Sequence, residues 1–239
     1  MKCSHVEYLR NLEALAARCR QEDLYLWPRT PMGHDHQEKI TDRMGVSDYD
    51  VDNRSSRPTL IIRQIRGLIR QGLIGATFSL LDIACGDGIV LWQIKRAFPH
   101  ARCYGVDCNR GKFGTHDMVQ RGGVELFNGY IQHLFAGDPP VPFDLALMLN
   151  TYRGWESADL REHERDLPQL ADAWLARNVR FTILTATDLQ IRRHRQVGLV
   201  VTRLGKGEDD STVVCFSKSR LPRSFWQPLS WLYRISSGW

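Results

Sequence analysis

The chain has 239 residues, of which 43% are hydrophobic and 25% are charged, a composition typical of globular proteins. A chain of this length can bury a full core without disulfide or metal staples, and no apolar run approaches the ~20 residues that cross a bilayer. The net charge of +5 is compatible with an anionic partner, but the basic residues are spread along the chain, which favours a solvated basic surface.

The N-terminal segment and the cysteines indicate the cellular compartment. The first residues are charged throughout and lack the apolar stretch of a secretory signal, so we expect a cytoplasmic protein. The cysteines are scattered and no two form a CxxC pair, which predicts free thiols rather than a zinc site or a redox dithiol. They are Cys3, Cys19, Cys85, Cys103, Cys108 and Cys215.

The chain begins with a segment unlike the rest. Apolar residues at helical spacing predict an amphipathic helix over about residues 5–22. Residues 28–58 are rich in Pro, Gly and polar side chains, which predicts a long loop of the kind that forms lids or binding segments. We therefore divide the chain into an N-terminal helix and lid segment, 1–57, and a main domain, 58–239.

The main domain alternates between helical and strand patterns. A helix with one apolar face follows Pro58, and apolar runs then alternate with helical segments, which predicts a doubly wound, mostly parallel Rossmann-like sheet with helices on both faces. Two later β-rich runs flank GKGEDD and predict a C-terminal antiparallel β-hairpin. An aromatic tail with three Trp residues ends the chain. The strand runs are FSLLDIA, ARCYGVD, VELFNG, PFDLALMLN and VRFTILTAT.

The segment LLDIACGDG, residues 80–88, joins the first strand to a helix. Gly86 and Gly88 lack a Cβ, so the backbone can turn sharply there and approach a ligand closely. Open α/β sheets bind ligands at this end of their strands, and an acidic residue about 20 residues later can bind ribose hydroxyls. Asp107 occupies that position at the end of the next strand.

Charge in this loop discriminates between cofactors. A dinucleotide places its pyrophosphate at the helix N-terminus. Here Asp82 and Asp87 would repel a pyrophosphate, whereas two carboxylates suit a ligand with a cationic ammonium or sulfonium group. The charges therefore favour S-adenosyl-L-methionine over NAD.

The combination LLDIACGDG … GVD resembles the first two motifs of class I S-adenosylmethionine-dependent methyltransferases, with Ala84 where the family has a glycine. The resemblance covers about residues 60–185. It implies that the loop lines the methionine and ribose parts of the cofactor and that Asp107 binds the ribose hydroxyls. The cofactor-binding residues expected in these two motifs are Asp82, Ala84, Cys85, Gly86, Gly88, Asp107 and Cys108.

Later segments extend the resemblance. The run Phe127–Ile131 is similar to the family's sequence near adenine, with Tyr130 where many members carry an acidic residue, and by this resemblance Tyr130 and Ile131 are expected to bind the cofactor. The resemblance implies that Ile131 packs on the adenine ring, and Asn128 or a backbone group would then bind the adenine amino group. Asn150 follows the fourth strand, where members of the family place residues that face the transferred methyl group, and by this resemblance it is expected to bind the cofactor. Arg57, together with Arg54, is a candidate partner for the cofactor's carboxylate.

Catalytic candidates are few because methyl transfer mainly requires positioning of the acceptor. A hydroxyl acceptor also benefits from a general base, for which we consider Tyr152, Glu156 and His34, with His133 as a further candidate. His34 and His36 flank Asp35 and have the chemistry of metal ligands, but a loop position favours solvated side chains, so we predict no metal site.

Three functions follow from this sequence. The first is methylation of a small molecule, natural product or glycan, with oxygen as the favoured acceptor atom. The second is methylation of RNA or protein, which the basic balance and the Arg-aromatic tail would suit. Residues 150–152, Asn-Thr-Tyr, lack the Asn/Asp-Pro-Pro-aromatic signature of many base-amino methyltransferases, so nucleic acid is not the favoured substrate. The third is a non-catalytic cofactor-binding module.

Overall fold

Strands in the described part of the chain form one seven-stranded sheet. The computed structural model describes residues 4–21, 56–86, 88–107, 116–149, 167–186, 191–192, 195–196, 200–206 and 212–217. The sheet has the order β3-β2-β1-β4-β5-β7-β6. Its strands are β1 (Ser79–Ile83), β2 (Arg102–Asp107), β3 (Val124–Asn128), β4 (Phe143–Met148), β5 (Val179–Ala186), β6 (Val200–Lys206) and β7 (Thr212–Ser217).

The first five strands are parallel, and the chain reverses its direction of travel across the sheet at β1. From β1 the chain adds β2 and β3 on one side, then returns to add β4 and β5 on the other. This arrangement creates a topological switch point between β1 and β4, where the connections leave in opposite directions and open a crevice at the carboxyl ends. Strand β7 pairs antiparallel with both β5 and β6.

Helices cover both faces of the sheet. Alternate residues of β1 point to opposite sides, so Leu80 packs in one hydrophobic cluster and Leu81 in the other. The helices are α1 (Ser4–Gln21), α2 (Ser56–Arg70), α3 (Ile89–Ala97), α4 (His116–Arg121), α5 (Ile131–Ala136) and α6 (Leu167–Asn178). The Leu80 cluster includes residues of α2, α3 and α4, and the Leu81 cluster includes residues of α1, α5 and α6. This is the predicted doubly wound architecture.

The N-terminal helix α1 packs directly on the sheet domain. Leu9 and Leu12 are buried in the Leu81 cluster, and Ala16 of the same helix is fully buried. The Tyr8 hydroxyl donates to two carbonyl oxygens at the C-terminal end of α5, that of Leu134 at 2.9 Å and that of Gly137 at 3.2 Å. The apolar stripe read from the sequence is therefore the surface that joins α1 to β3 and α5.

Helix α5 is an element that our sequence analysis did not predict. Its six residues are too few to display a helical period, and two of them, Leu134 and Phe135, are buried. Helix α5 packs between α1 and α6, and this tertiary packing stabilises a helix that its local sequence pattern does not predict. Among the helices that the structure describes, none has the length and apolar character needed to cross a membrane.

Candidate functional site

The loop between β1 and α3 folds over the end of β2. Ala84 and Cys85 donate backbone hydrogen bonds of 2.9 and 3.2 Å to the carbonyl oxygen of Val106. Ala84, Gly86 and Gly88 all have positive φ, at 61°, 56° and 77°. Left-handed backbone at a non-glycine residue is uncommon and strained, so Ala84 adopts a conformation that a glycine would hold more easily.

Asp107 ties this loop to the second strand. Its Oδ2 accepts a 2.9 Å hydrogen bond from the backbone N–H of Gly86, and only 8% of the residue is exposed. A carboxylate has about four acceptor positions and can accept several hydrogen bonds, including those of ribose hydroxyls. Two sequence-predicted residues, separated by 20 other positions, are thereby brought into contact at the carboxyl ends of β1 and β2, beside the switch point.

The two glycines of the loop have different surroundings. A Cβ added at Gly86 would meet no atom of the described residues within 4 Å. A Cβ added at Gly88 would lie 3.1 Å from side-chain atoms of Leu126 and Val119. Gly86 therefore offers room for a ligand against the backbone, while Gly88 allows α3 to pack closely against β3 and α4.

Asp82 and Cys85 lie within this loop region but face protein. Asp82 is 4% exposed, and its charge contributes to raising the pKa of Cys103 to about 12, an effect caused mainly by burial of that thiol. Cys85 packs on the Leu80 cluster, where its Sγ lies 2.7 Å from the position of a Cβ added at Gly105. Cys85 thus shapes the loop by packing, and Gly105 makes room for it.

The carboxyl end of β3 lies beside Asp107. Asn128 is the register partner of Asp107, and the N–H of Gly129 donates to the Asp107 carbonyl oxygen at 3.2 Å. Tyr130 is buried at the start of α5, and Ile131 packs partly against the Leu81 cluster. This strand end therefore extends the predicted cofactor surface outward from β2.

Glu13 makes a contact with the carboxyl end of β3 that our sequence reasoning missed. Its Oε1 accepts a hydrogen bond of 3.3 Å from the backbone N–H of Asn128. The two residues are 115 positions apart. In the sequence Glu13 has no feature that distinguishes it from the other polar residues of an amphipathic helix. No local pattern could have identified it.

His133 lies near the site and is partly buried. Its ring meets that of Tyr130 edge-on with centroids 5.6 Å apart, and Nε2 is 3.9 Å from Sγ of Cys19. Burial lowers the pKa of His133. The ring packs between α1 and Tyr130, and its described contacts do not include Asp107 or Gly86.

Several predicted residues lie outside the part of the chain that the structure describes. Arg57 belongs to the first turn of α2, and only its backbone is described. Within the described ranges, no group of three or more His, Cys, Asp or Glu side chains could hold a metal. The residues outside the described part are His34, His36, Arg54, Asp87, Cys108, Asn150, Tyr152 and Glu156.

Comparison with known proteins bears on the fold. No protein-family model and no curated protein sequence matches the chain. The bifunctional kinase-methyltransferase WbdD is similar in structure, with a TM-score of 0.58 and 16% identity over 74% of this chain and 43% of WbdD. DesVI of Streptomyces venezuelae has a TM-score of 0.52 and 12% identity over 78% of this chain and 98% of its own. The chain spans less than half the length of WbdD, and these likenesses establish that it has the predicted Rossmann-like α/β fold.

Proposed function

We propose that this chain is an S-adenosyl-L-methionine-dependent methyltransferase that acts on a small molecule, natural product or glycan, with oxygen as the favoured acceptor atom. One observation carries the proposal. The buried Asp107 carboxylate holds the Gly86 N–H at the carboxyl ends of β1 and β2, beside the switch point, and a Cβ added at Gly86 would meet no atom of the described residues within 4 Å. This is where open α/β folds bind nucleoside ligands.

The described residues suit S-adenosyl-L-methionine. The carboxylate of Asp107 can accept hydrogen bonds from ribose hydroxyls, and Gly86 has no side chain that would block the rest of the cofactor. The structural likeness to WbdD, a bifunctional kinase-methyltransferase, supports the same conclusion.

In methyl transfer the main role of the protein is to position the acceptor against the cofactor. The cofactor supplies an activated methyl group bound to a sulfonium, and orientation of an acceptor against it can lower the barrier by about 7–11 kcal/mol. A hydroxyl acceptor must also lose its proton, for which Tyr152, Glu156 and His34 remain the candidate bases. The segment before residue 58 is the proposed lid. The cytoplasmic location also remains a prediction from the sequence.

Calorimetric titration with S-adenosyl-L-methionine and S-adenosylhomocysteine tests the cofactor. We expect saturable binding by the wild-type protein and loss of binding in Asp107→Ala. Transfer of a labelled methyl group to panels of hydroxylated metabolites and glycans then tests the reaction. Absence of cofactor binding by the folded protein would refute the proposal. Cofactor binding without turnover on any acceptor would favour a non-catalytic binding module.

A second candidate, methylation of RNA, is favoured by one surface. Arg63, Arg66 and Arg70 are all exposed on α2 and recur at the spacing of one helical face. A row of cations of this kind can follow a phosphate backbone. RNA binding that weakens steeply with salt, and that is lost when all three arginines become glutamine, would support this candidate over the first.

A further inference from the structure

Two histidines border opposite ends of the docked helix α1. His5, in the first turn of α1, stacks on Phe143 with ring centroids 4.0 Å apart and meets the ring of Tyr104 at 5.8 Å. Toward the other end of the helix, Nε2 of His133 lies 3.9 Å from Sγ of Cys19. Because an α-helix rises about 1.5 Å per residue, these two contacts are roughly 20 Å apart along α1.

Each histidine has a buried nitrogen, Nδ1, with no hydrogen-bond partner among the described residues. Nε2 of His5 lies 2.9 Å from the carbonyl oxygen of Val141, and because a carbonyl only accepts, this nitrogen carries the proton of the neutral ring. An imidazolium carries a proton on both nitrogens. Protonation of His5 or His133 therefore adds a positive charge and leaves an N–H at a buried Nδ1 without a described acceptor, which destabilises the docked helix.

The charges around His5 do not offset this cost. Burial is the largest cause that lowers the pKa of His5. Arg102 of β2 also disfavours a charged ring, whereas Asp144 of β4 favours it, but the Asp144 carboxylate already accepts a 3.0 Å hydrogen bond from Arg180. Glu7 of the same helix is exposed. The first turn of a helix is also the positive end of its dipole, which disfavours a cation there.

At His133, burial alone lowers the pKa. The two helices that pack on α5 carry Glu13 in α1 and Asp172 in α6, and neither carboxyl group contributes to the shift. The ring lies between Tyr130 and Cys19, so docking of α1 is part of what removes it from solvent. The docked helix therefore favours the unprotonated form of both histidines.

We propose that α1 is a pH-sensitive element that docks on the sheet when His5 and His133 are unprotonated and is released, with the sheet still folded, when they are protonated. In the released state both rings return to their usual pKa of 6.5, so proton binding favours release. Docking is fully favoured above pH 6.5 and weakens as the pH falls through the lowered pKa values. Release uncovers the apolar face of Leu9 and Leu12. This behaviour does not depend on the proposed function.

Hydrogen exchange of the full chain at about pH 7.5 and about pH 5.5, expressed as protection factors corrected for intrinsic exchange rates, tests the release. We expect lower protection in α1 than in β1 and β4 at both pH values, because the helix opens while the sheet stays folded. Acidification should lower the protection of α1 by up to about tenfold for each histidine, and so by up to about a hundredfold in total.

The variants His5→Phe and His133→Phe keep an aromatic ring but cannot be protonated. Each should remove its share of the decrease, and the double variant should remove most of it. His100→Gln, at an exposed position, should keep the wild-type response. Equal protection of α1 and β1 in the wild type would show that the helix leaves only on global unfolding and would overturn the proposal, even where a variant fails to fold. A decrease that persists in the double variant, or that depends on only one histidine, would also overturn it.

Discussion

The carboxylate of Asp107 accepts a 2.9 Å hydrogen bond from the backbone N–H of Gly86, joining the end of β2 to the loop that follows β1. The bond holds the loop where Gly86 has a left-handed backbone, and it keeps a carboxylate at the carboxyl end of β2, beside the switch point of the sheet. One contact thus serves both the structure of the loop and the ligand that we expect there.

Substitution of Asp107 should weaken binding of the cofactor. Asp107→Ala removes the acceptor for Gly86 and for the expected ribose hydroxyls, so S-adenosylhomocysteine should bind at least ten- to hundredfold more weakly, the equivalent of one charged hydrogen bond of about 1.5–3 kcal/mol. Glu125→Ala, which removes an exposed carboxylate of β3, is the control and should bind normally. Equal affinities in calorimetry for the two variants would contradict the role of Asp107.

Gly86 and Gly72 form a matched pair for testing the ligand surface. Both have positive φ, and within the described part of the chain a Cβ added at either would meet no atom within 4 Å. Gly86→Ala and Gly72→Ala should therefore lose similar stability, about 1–2 kcal/mol each from left-handed backbone. Only Gly86→Ala should also weaken binding of S-adenosylhomocysteine, because its methyl group would occupy the ligand's space. Normal affinity in Gly86→Ala would place the ligand elsewhere.

Gly105 should be intolerant of any side chain. A Cβ there would lie 2.7 Å from both Cys85 Sγ and Leu126 Cδ2, inside the interface of the loop, β2 and β3. Gly105→Ala is expected to lower the free energy of unfolding by about 1–3 kcal/mol through overpacking. Gly75→Ala adds a methyl group in open space and serves as the control. Urea denaturation that gives equal stabilities for the two variants would refute this packing.

His5 should make stability depend on pH. The ring stacks on Phe143 with centroids 4.0 Å apart, and Nε2 lies 2.9 Å from the Val141 carbonyl oxygen. Burial is the main cause that lowers the pKa of His5 below 6.5, while the charges of Arg102 and Asp144 act on it in opposite directions. Because the unfolded state then binds the proton more tightly, the contribution of His5 is fully present above pH 6.5 and is lost as the pH falls through the lowered pKa.

Urea unfolding at about pH 8 and about pH 5.5 measures this dependence. His5→Phe retains an aromatic ring against Phe143 but cannot be protonated, so the decrease in stability on acidification should be smaller than in the wild type. His100→Gln, at an exposed position, should keep the wild-type dependence. A pH dependence that is identical in His5→Phe would show that other groups are responsible.

Local patterns predicted most of the framework for physical reasons. Buried parallel strands require continuous apolar runs such as the one ending at Ile83, and the turn after β1 requires residues that tolerate positive φ, such as Gly86 and Gly88. The acidic residue at Asp107 follows at the distance that one strand–helix–strand unit sets. These features depend on residues that are close together in the chain, so they can be recognised from the amino-acid sequence.

The sequence by itself determined the parallel sheet, the amphipathic helix α1 and the loop that faces Asp107. Only the tertiary structure decided that α5 is a helix, that α1 packs on β3, and that Glu13 reaches the N–H of Asn128. The difference lies in the range of the interactions. Period and turn chemistry act over a few residues, whereas the burial that docks α1 joins segments more than 100 positions apart and exists only once the sheet has formed.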